Sequence, residues 1–289
     1  MRFIFLGLLP LLALILLYPG CRPTQTIPSV EKAISFEDML LFDYQAGTPD
    51  WAHIRISHQQ RMDQGTDQLL TISGSVQGAY PFYSPVDGGD MLIAGVKLPQ
   101  SEQNPGLYGP VLSKKPEQTF LKRSLGETTS FSLDGNTSRH IPSFKAETYL
   151  PPLLDVEVQP EGMRTNAPGI LNKRGQISIR WNADTNNPLP VLVWIAFHHA
   201  ERHIVRDPSQ TPYEEIALAS RIFRRKKLED SGHCQLSVQD WLADIPSGTR
   251  IEVGLARGTE HTVRKKNKSL RIYYRTATVH AFDLSDQRN

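Results

Sequence analysis

Cysteine is nearly missing from this chain: 289 residues hold two, Cys21 and Cys234. That count excludes a disulfide scaffold, so stability has to come from packing, and a chain of this length can bury one or two cores unaided. An excess of one sign of charge is missing as well. The 32 Lys and Arg stand against 30 Asp and Glu, and with Arg2 the only charge among residues 1–20, the remainder is closer still to balance. Such a balance argues against a dedicated nucleic-acid binder, whose footprint is a basic patch or stripe. A membrane-spanning run is missing too. The longest apolar stretch, 3–17, would rise only about 22 Å as a helix against roughly 30 Å of hydrocarbon, and Pro10 interrupts it.

The motifs of common catalytic chemistries are also lacking. No nucleophile elbow occurs, since in Gly74-Ser75-Val76-Gln77-Gly78 the serine is misplaced. His199-Ala200-Glu201-Arg202-His203 has its glutamate one place too late for the zinc-protease helix. His198, His199 and His203 with His233 and Cys234 offer zinc-type ligands, but read more simply as strand-end histidines and a small apolar packing residue. Asn182-Ala183-Asp184-Thr185-Asn186-Asn187 lacks the glycine and closing glutamate of a calcium loop and is read as a turn. No glycine-rich phosphate loop is present. These absences imply no cofactor, no metal and no catalytic residue that the sequence can name.

What is present begins with one basic residue, Arg2, an apolar run and Tyr18-Pro19-Gly20-Cys21. This layout resembles a bacterial lipoprotein signal peptide, and the resemblance implies cleavage before Cys21 and acylation of its thiol. It implies a lipid anchor in the cell envelope, and Arg22 rather than Asp after the cysteine implies the outer membrane. Cys234 would then be the one free thiol. Residues 21–34 read as the lipidated cysteine and a Pro-containing tether.

The composition, with 21 Pro and 20 Gly between short alternating runs, predicts a mainly β protein of two β-rich domains. The first spans 35–150, where Ile54 and Ile56 alternate with Arg55 and Ser57, and Phe131 alternates with Leu133 ahead of Asp134-Gly135. Tyr149-Leu150-Pro151-Pro152 marks the boundary, because consecutive prolines stiffen the chain and do not fit a central strand. The second spans 151–284, with a tail at 285–289. There Ile177, Ile179 and Trp181 share one strand face, which predicts a buried Trp181. Residues 190–197 are apolar on both faces, as a strand covered on both sides requires.

Leu242-Ala243-Asp244-Ile245-Pro246-Ser247-Gly248-Thr249, followed by an alternating strand, resembles the corner of a fibronectin type III or related immunoglobulin-like sandwich, and the Trp181 strand resembles that fold's second strand. The resemblance implies a sandwich over 151–284 with an insertion at 200–231. Within the insertion, Thr211-Pro212, Glu214-Glu215 and the closing run Arg224-Arg225-Lys226-Lys227 favour a helix, while Ile216, Leu218 and Ile222 also alternate as a strand would.

For function, the basic residues are the best handle: 201–275 carries 15 Lys and Arg against 10 Asp and Glu, with clusters at 221–227 and 264–268. If strands 250–257 and 270–276 are neighbours, Arg250, Arg257, Arg271 and Arg275 share an outward face with Tyr273, suited to an anionic glycan or an acidic envelope protein. The expectation is a lipid-anchored, non-catalytic binding or structural component of the envelope. An envelope hydrolase and a subunit of an outer-membrane assembly complex are the alternatives.

Overall fold

The structure is a computed structural model that describes residues 52–62, 67–77, 84–115, 119–161, 169–198, 211–218 and 221–286. The signal peptide, Cys21 and the tether lie outside these residues, as do His199, His203 and the tail from 287.

The protein is mainly β, as its alternating runs predict. Strands β1 (Ala52–Arg61), β2 (Asp67–Val76), β3 (Met91–Ile93), β4 (Val96–Lys97), β5 (Leu107–Ser113), β6 (Glu127–Leu133) and β7 (Phe144–Leu150) make up the first half. They are followed by β8 (Val156–Pro160), β9 (Gly169–Asn172), β10 (Gln176–Trp181), β11 (Val191–His198), β12 (Glu214–Leu218), β13 (Arg221–Leu228) and β14 (His233–Ser237). A short helix, α1 (Val238–Leu242), capped by the Ser237 hydroxyl, precedes the long hairpin of β15 (Arg250–Lys265) and β16 (Lys268–Ser285).

These strands form a nine-stranded sheet in the order β12-β13-β11-β15-β16-β1-β2-β5 with β9 also on β16, a three-stranded sheet β14-β10-β8 and a four-stranded sheet β4-β3-β6-β7. Both small sheets pack on the same face of the large one. Ile177, Ile179 and Leu236 of the three-stranded sheet share a core with Val193, Ile195, Val253 and Leu255 of the large sheet, closed by Trp241 and Leu242 of α1. Phe131, Leu133 and Phe144 of the four-stranded sheet share a second core with Ile54, Ile56, Ile72, Leu270, Ile272 and Tyr274.

Over residues 156–285, β8, β10 and β14 face β13, β11, β15 and β16, the two-sheet arrangement expected of an immunoglobulin-like sandwich. Trp181 is buried, and β11 is covered on both faces from Val191 to Phe197. The helix favoured for 211–227 is not formed. Those residues make the β12–β13 hairpin, whose second strand pairs with β11, so much of the expected insertion is part of the sandwich. Helix-like end charges lost because Ile222, Phe223 and Arg224 are each buried where tertiary pairing places them.

The boundary expected at 150/151 separates two cores but not two sheets. β16, about 60 Å long at 3.3 Å per residue, pairs with the whole of β15 from Lys268 to Asp283 and in parallel with β1. It therefore carries Leu270, Ile272 and Tyr274 in one core and Phe282 and Leu284 in the other. Between them Thr276 and Thr278 point inward. Thr276 Oγ1 accepts the Leu154 amide at 3.1 Å and lies 3.0 Å from His58 Nδ1, which ties the proline-marked connection to the sheet.

Candidate functional site

The opposite face of the large sheet is set by period-two alternation and by register. β1 runs parallel to β16 with Arg55 beside Tyr273, His53 beside Arg271 and Ser57 beside Arg275. On the other flank, β15 places Glu260 beside Tyr273 and Thr262 beside Arg271. Residues at i and i+2 share a face, so Arg55, Arg271 and Arg275 surround Tyr273 from three sides on one continuous sheet. Arg271 Nη1 donates to Tyr273 Oη at 3.1 Å, which orients the phenol against a guanidinium.

Exposure is graded across this group. Arg55, Arg271 and His53 are half-buried, whereas Tyr273 and Arg275 are 6% and 3% exposed. His53 has its pKa pulled down to about 4, first by burial and then by the Arg55 charge, so it is neutral at pH 7. Its ring lies 3.2 Å from Ser75 Oγ on β2. The arrangement holds a neutral imidazole, a phenol, three guanidiniums and the Glu260 carboxylate on rigid strands, and of its cations Arg55 and Arg271 reach solvent, where a guanidinium suits carboxylate, sulfate or phosphate oxygens.

Of the five residues expected to share an outward face, the structure brings together Arg271, Tyr273 and Arg275. Tyr273 and Arg275 are buried rather than solvent-facing. Arg250 is exposed on the same face but sits beside Asp283, ten residues along β15 from Glu260 and so about 33 Å away. Arg257 is on the wrong face altogether, because its odd position on β15 points toward the cores. It is 0% exposed and bonded to Asp230 and to the carbonyls of Asn182 and Pro152. Arg55 and His53 were not expected there: their outward direction was legible from alternation with Ile54 and Ile56, but not that β1 lies beside a strand more than 200 residues later.

The same face continues away from the arginines as an apolar area of Leu192, Trp194, Ala196, Phe223, Ala256, Ala277 and Val279. Its margin is a bridge in which Glu252 accepts from Arg61 Nη2 at 2.8 Å and also from Arg221. Of the suggested zinc ligands, His199 and His203 lie outside the described residues, and His198 and Cys234 are not brought together: by alternation His198 is on this outer face, whereas Cys234 packs on the first core. Among the described residues no group of three His, Cys, Asp or Glu side chains is placed to hold a metal ion. The turn reading of 182–187 fits Asp184, whose carboxylate accepts the Asn186 amide at 3.1 Å and the Tyr149 hydroxyl at 3.0 Å.

No family model matches the chain, and no curated protein matches it. Among solved structures, one match is the Fcho1 Mu homology domain of Danio rerio with bound Eps15 peptide. It is 13% identical, covering 83% of this chain and 100% of that one, with a TM-score of 0.24. At that score the likeness carries neither fold nor function to this chain.

Proposed function

We propose that this protein is a lipid-anchored cell-envelope lipoprotein, acylated at Cys21 and held in the outer membrane, that binds an anionic envelope ligand without catalysing a reaction. The observation that carries the binding part is the placement of half-buried Arg55 and Arg271 on adjacent strands beside Tyr273. Guanidiniums on a rigid sheet lose little freedom on binding, and the buried Tyr273 hydroxyl, which accepts from Arg271, holds one of them in place. Acidic glycans are the favoured ligands, since they present carboxylates or sulfates on ring faces that such a surface complements.

The test is binding of full-length protein in detergent to acidic and neutral glycans. Selective, salt-sensitive binding to acidic glycans, weakened at least tenfold by Arg55→Ala with Arg271→Ala, supports the reading. Equal binding to neutral glycans, or none at all, removes it. The anchor is tested separately, because Cys21→Ser must deplete the membrane fraction.

A second reading, a subunit of an envelope assembly, is favoured by Leu69 and Leu112. They are diagonal neighbours on the same face across β2 and β5 and are 45% and 61% exposed. Neighbouring exposed apolar side chains of this kind mark protein contacts. A partner that co-purifies with the native protein and is lost on Leu69→Ser with Leu112→Ser would establish it.

A further inference from the structure

We infer that the tip of the β15–β16 hairpin is a membrane-docking element that rests on anionic phospholipid headgroups. The tip reads Arg264-Lys265-Lys266-Asn267-Lys268, four cationic side chains in five positions, and no acidic residue occurs between Glu260 and Asp283. Positions 264–267 are all exposed. Lys266 takes φ 55, a left-handed conformation that glycine or asparagine adopts more easily, so a lysine is held at the turn at some cost in backbone energy.

The tip is also supported. Lys265 Nζ donates to Ser143 O at 2.6 Å and Lys268 Nζ to His140 O, which fastens the hairpin end to the 139–143 segment. Arg264 continues the outer-face column of β15 beyond Thr262, so the positive face of Arg55 and Arg271 extends to the very end of the sheet.

Register supplies the orientation. β1 is parallel to β16, and its first residue, Ala52, lies opposite Leu270, two positions past Lys268. Ala52, the first described residue, therefore lies at the tip's end of the sheet and not at the far end. The inference thus rests on the lipid-anchor reading. A chain tethered to a membrane meets that membrane at high effective concentration. A polybasic tip there adds attraction to anionic headgroups, within reach of a screening length of about 8 Å at physiological salt.

The experiment uses full-length lipoprotein reconstituted into vesicles of phosphatidylcholine alone or mixed with phosphatidylglycerol. A fluorophore at Asn267→Cys is read against a headgroup-attached quencher, and Lys115→Cys, beyond the end of β5 away from the tip, is the control. Strong quenching at 267 but not at 115, only with phosphatidylglycerol and abolished in 1 M salt, is the expected result. Arg264→Ala with Lys266→Ala should lower the contact about 30-fold, roughly fivefold for each cation lost near an anionic surface. Thermal unfolding of the variant is compared with wild type to show that the fold is retained.

Equal quenching in phosphatidylcholine, equal quenching at 115, or indifference to the double substitution would overturn the inference. So would displacement by millimolar inorganic phosphate, which would mark a discrete anion site instead of a surface contact. Co-flotation of the protein with phosphatidylcholine vesicles reports the anchor independently, so failure of the anchor and failure of the tip are told apart.

Discussion

Arg257 on β15 and Asp230, in the turn before β14, form a two-pronged ion pair: Nε donates to Oδ2 at 2.7 Å and Nη2 to Oδ1 at 2.9 Å. The pair joins the large sheet to the three-stranded sheet at the seam between the two cores, and Asp230 also accepts the Trp181 indole N–H at 2.7 Å. Two buried charges satisfied in this way add little net energy over an apolar pair, but removing one strands the other. Arg257→Met should cost about 3–5 kcal/mol in denaturant unfolding. Pairing it with Asp230→Leu should recover part of that loss. A cost below about 1 kcal/mol would show that water or another cation reaches Asp230.

Trp194 on β11 lies flat against the backbone of Gly254 on β15. A Cβ at position 254 would come within 2.1 Å of the indole Cζ2 and 2.2 Å of Cε2. Gly254→Ala should therefore destabilise by about 1–3 kcal/mol through overpacking. Trp194→Leu in the same chain should make the alanine nearly harmless, a non-additivity expected of residues in contact. Additive costs in a double-mutant cycle would contradict the packing.

His58 is 1% exposed and has its pKa lowered from 6.5 to about 4, chiefly by burial and then by the Arg275 charge. The unfolded chain takes up this proton near pH 6.5 and the folded chain only near pH 4. Stability from this group is therefore complete above pH 6.5, declines as pH falls toward 4 by about 3 kcal/mol, and falls no further below that. His58→Gln should unfold with a visibly flatter pH dependence between 6.5 and 4. His53 acts in the same direction from its half-buried position, so some slope remains. An unchanged slope in the variant would show that His58 is protonated in the fold.

Cys234 is half-buried against the first core, and burial raises its thiol pKa from 9.0 to about 11. Thiolate is the reactive form, so at pH 8 native Cys234 should react with a disulfide reagent about 100-fold more slowly than an ordinary thiol. Unfolding in denaturant should restore the ordinary rate. Fast reaction in the native state would mean that the site opens.

The strands and their faces were largely fixed by local chemistry. Alternation at Ile54 and Ile56, and at Ile177, Ile179 and Trp181, set which side chains turn inward, because the side-chain period of a strand is two residues and water penalises apolar exposure. The doubly apolar run at 190–197 specified a covered strand for the same reason, and the corner at 242–249 pointed to the sandwich that β8, β10, β11 and β13–β16 form. What the sequence could not settle was adjacency. Nothing local to residues 211–227 says that a neighbouring strand, β11, waits to pair with them, so helix-like end charges misled.

Nor does local pattern reveal that β1 lies parallel to β16, which carries Arg55 to Tyr273 and joins the two halves into one sheet. Arg257 divides the two kinds of information. Seven residues, an odd spacing, separate it from Arg250 on β15, so alternation alone puts the two on opposite faces, while only tertiary packing decided that the face of Arg257 is the buried one, with Asp230 and the carbonyls of Asn182 and Pro152 as acceptors.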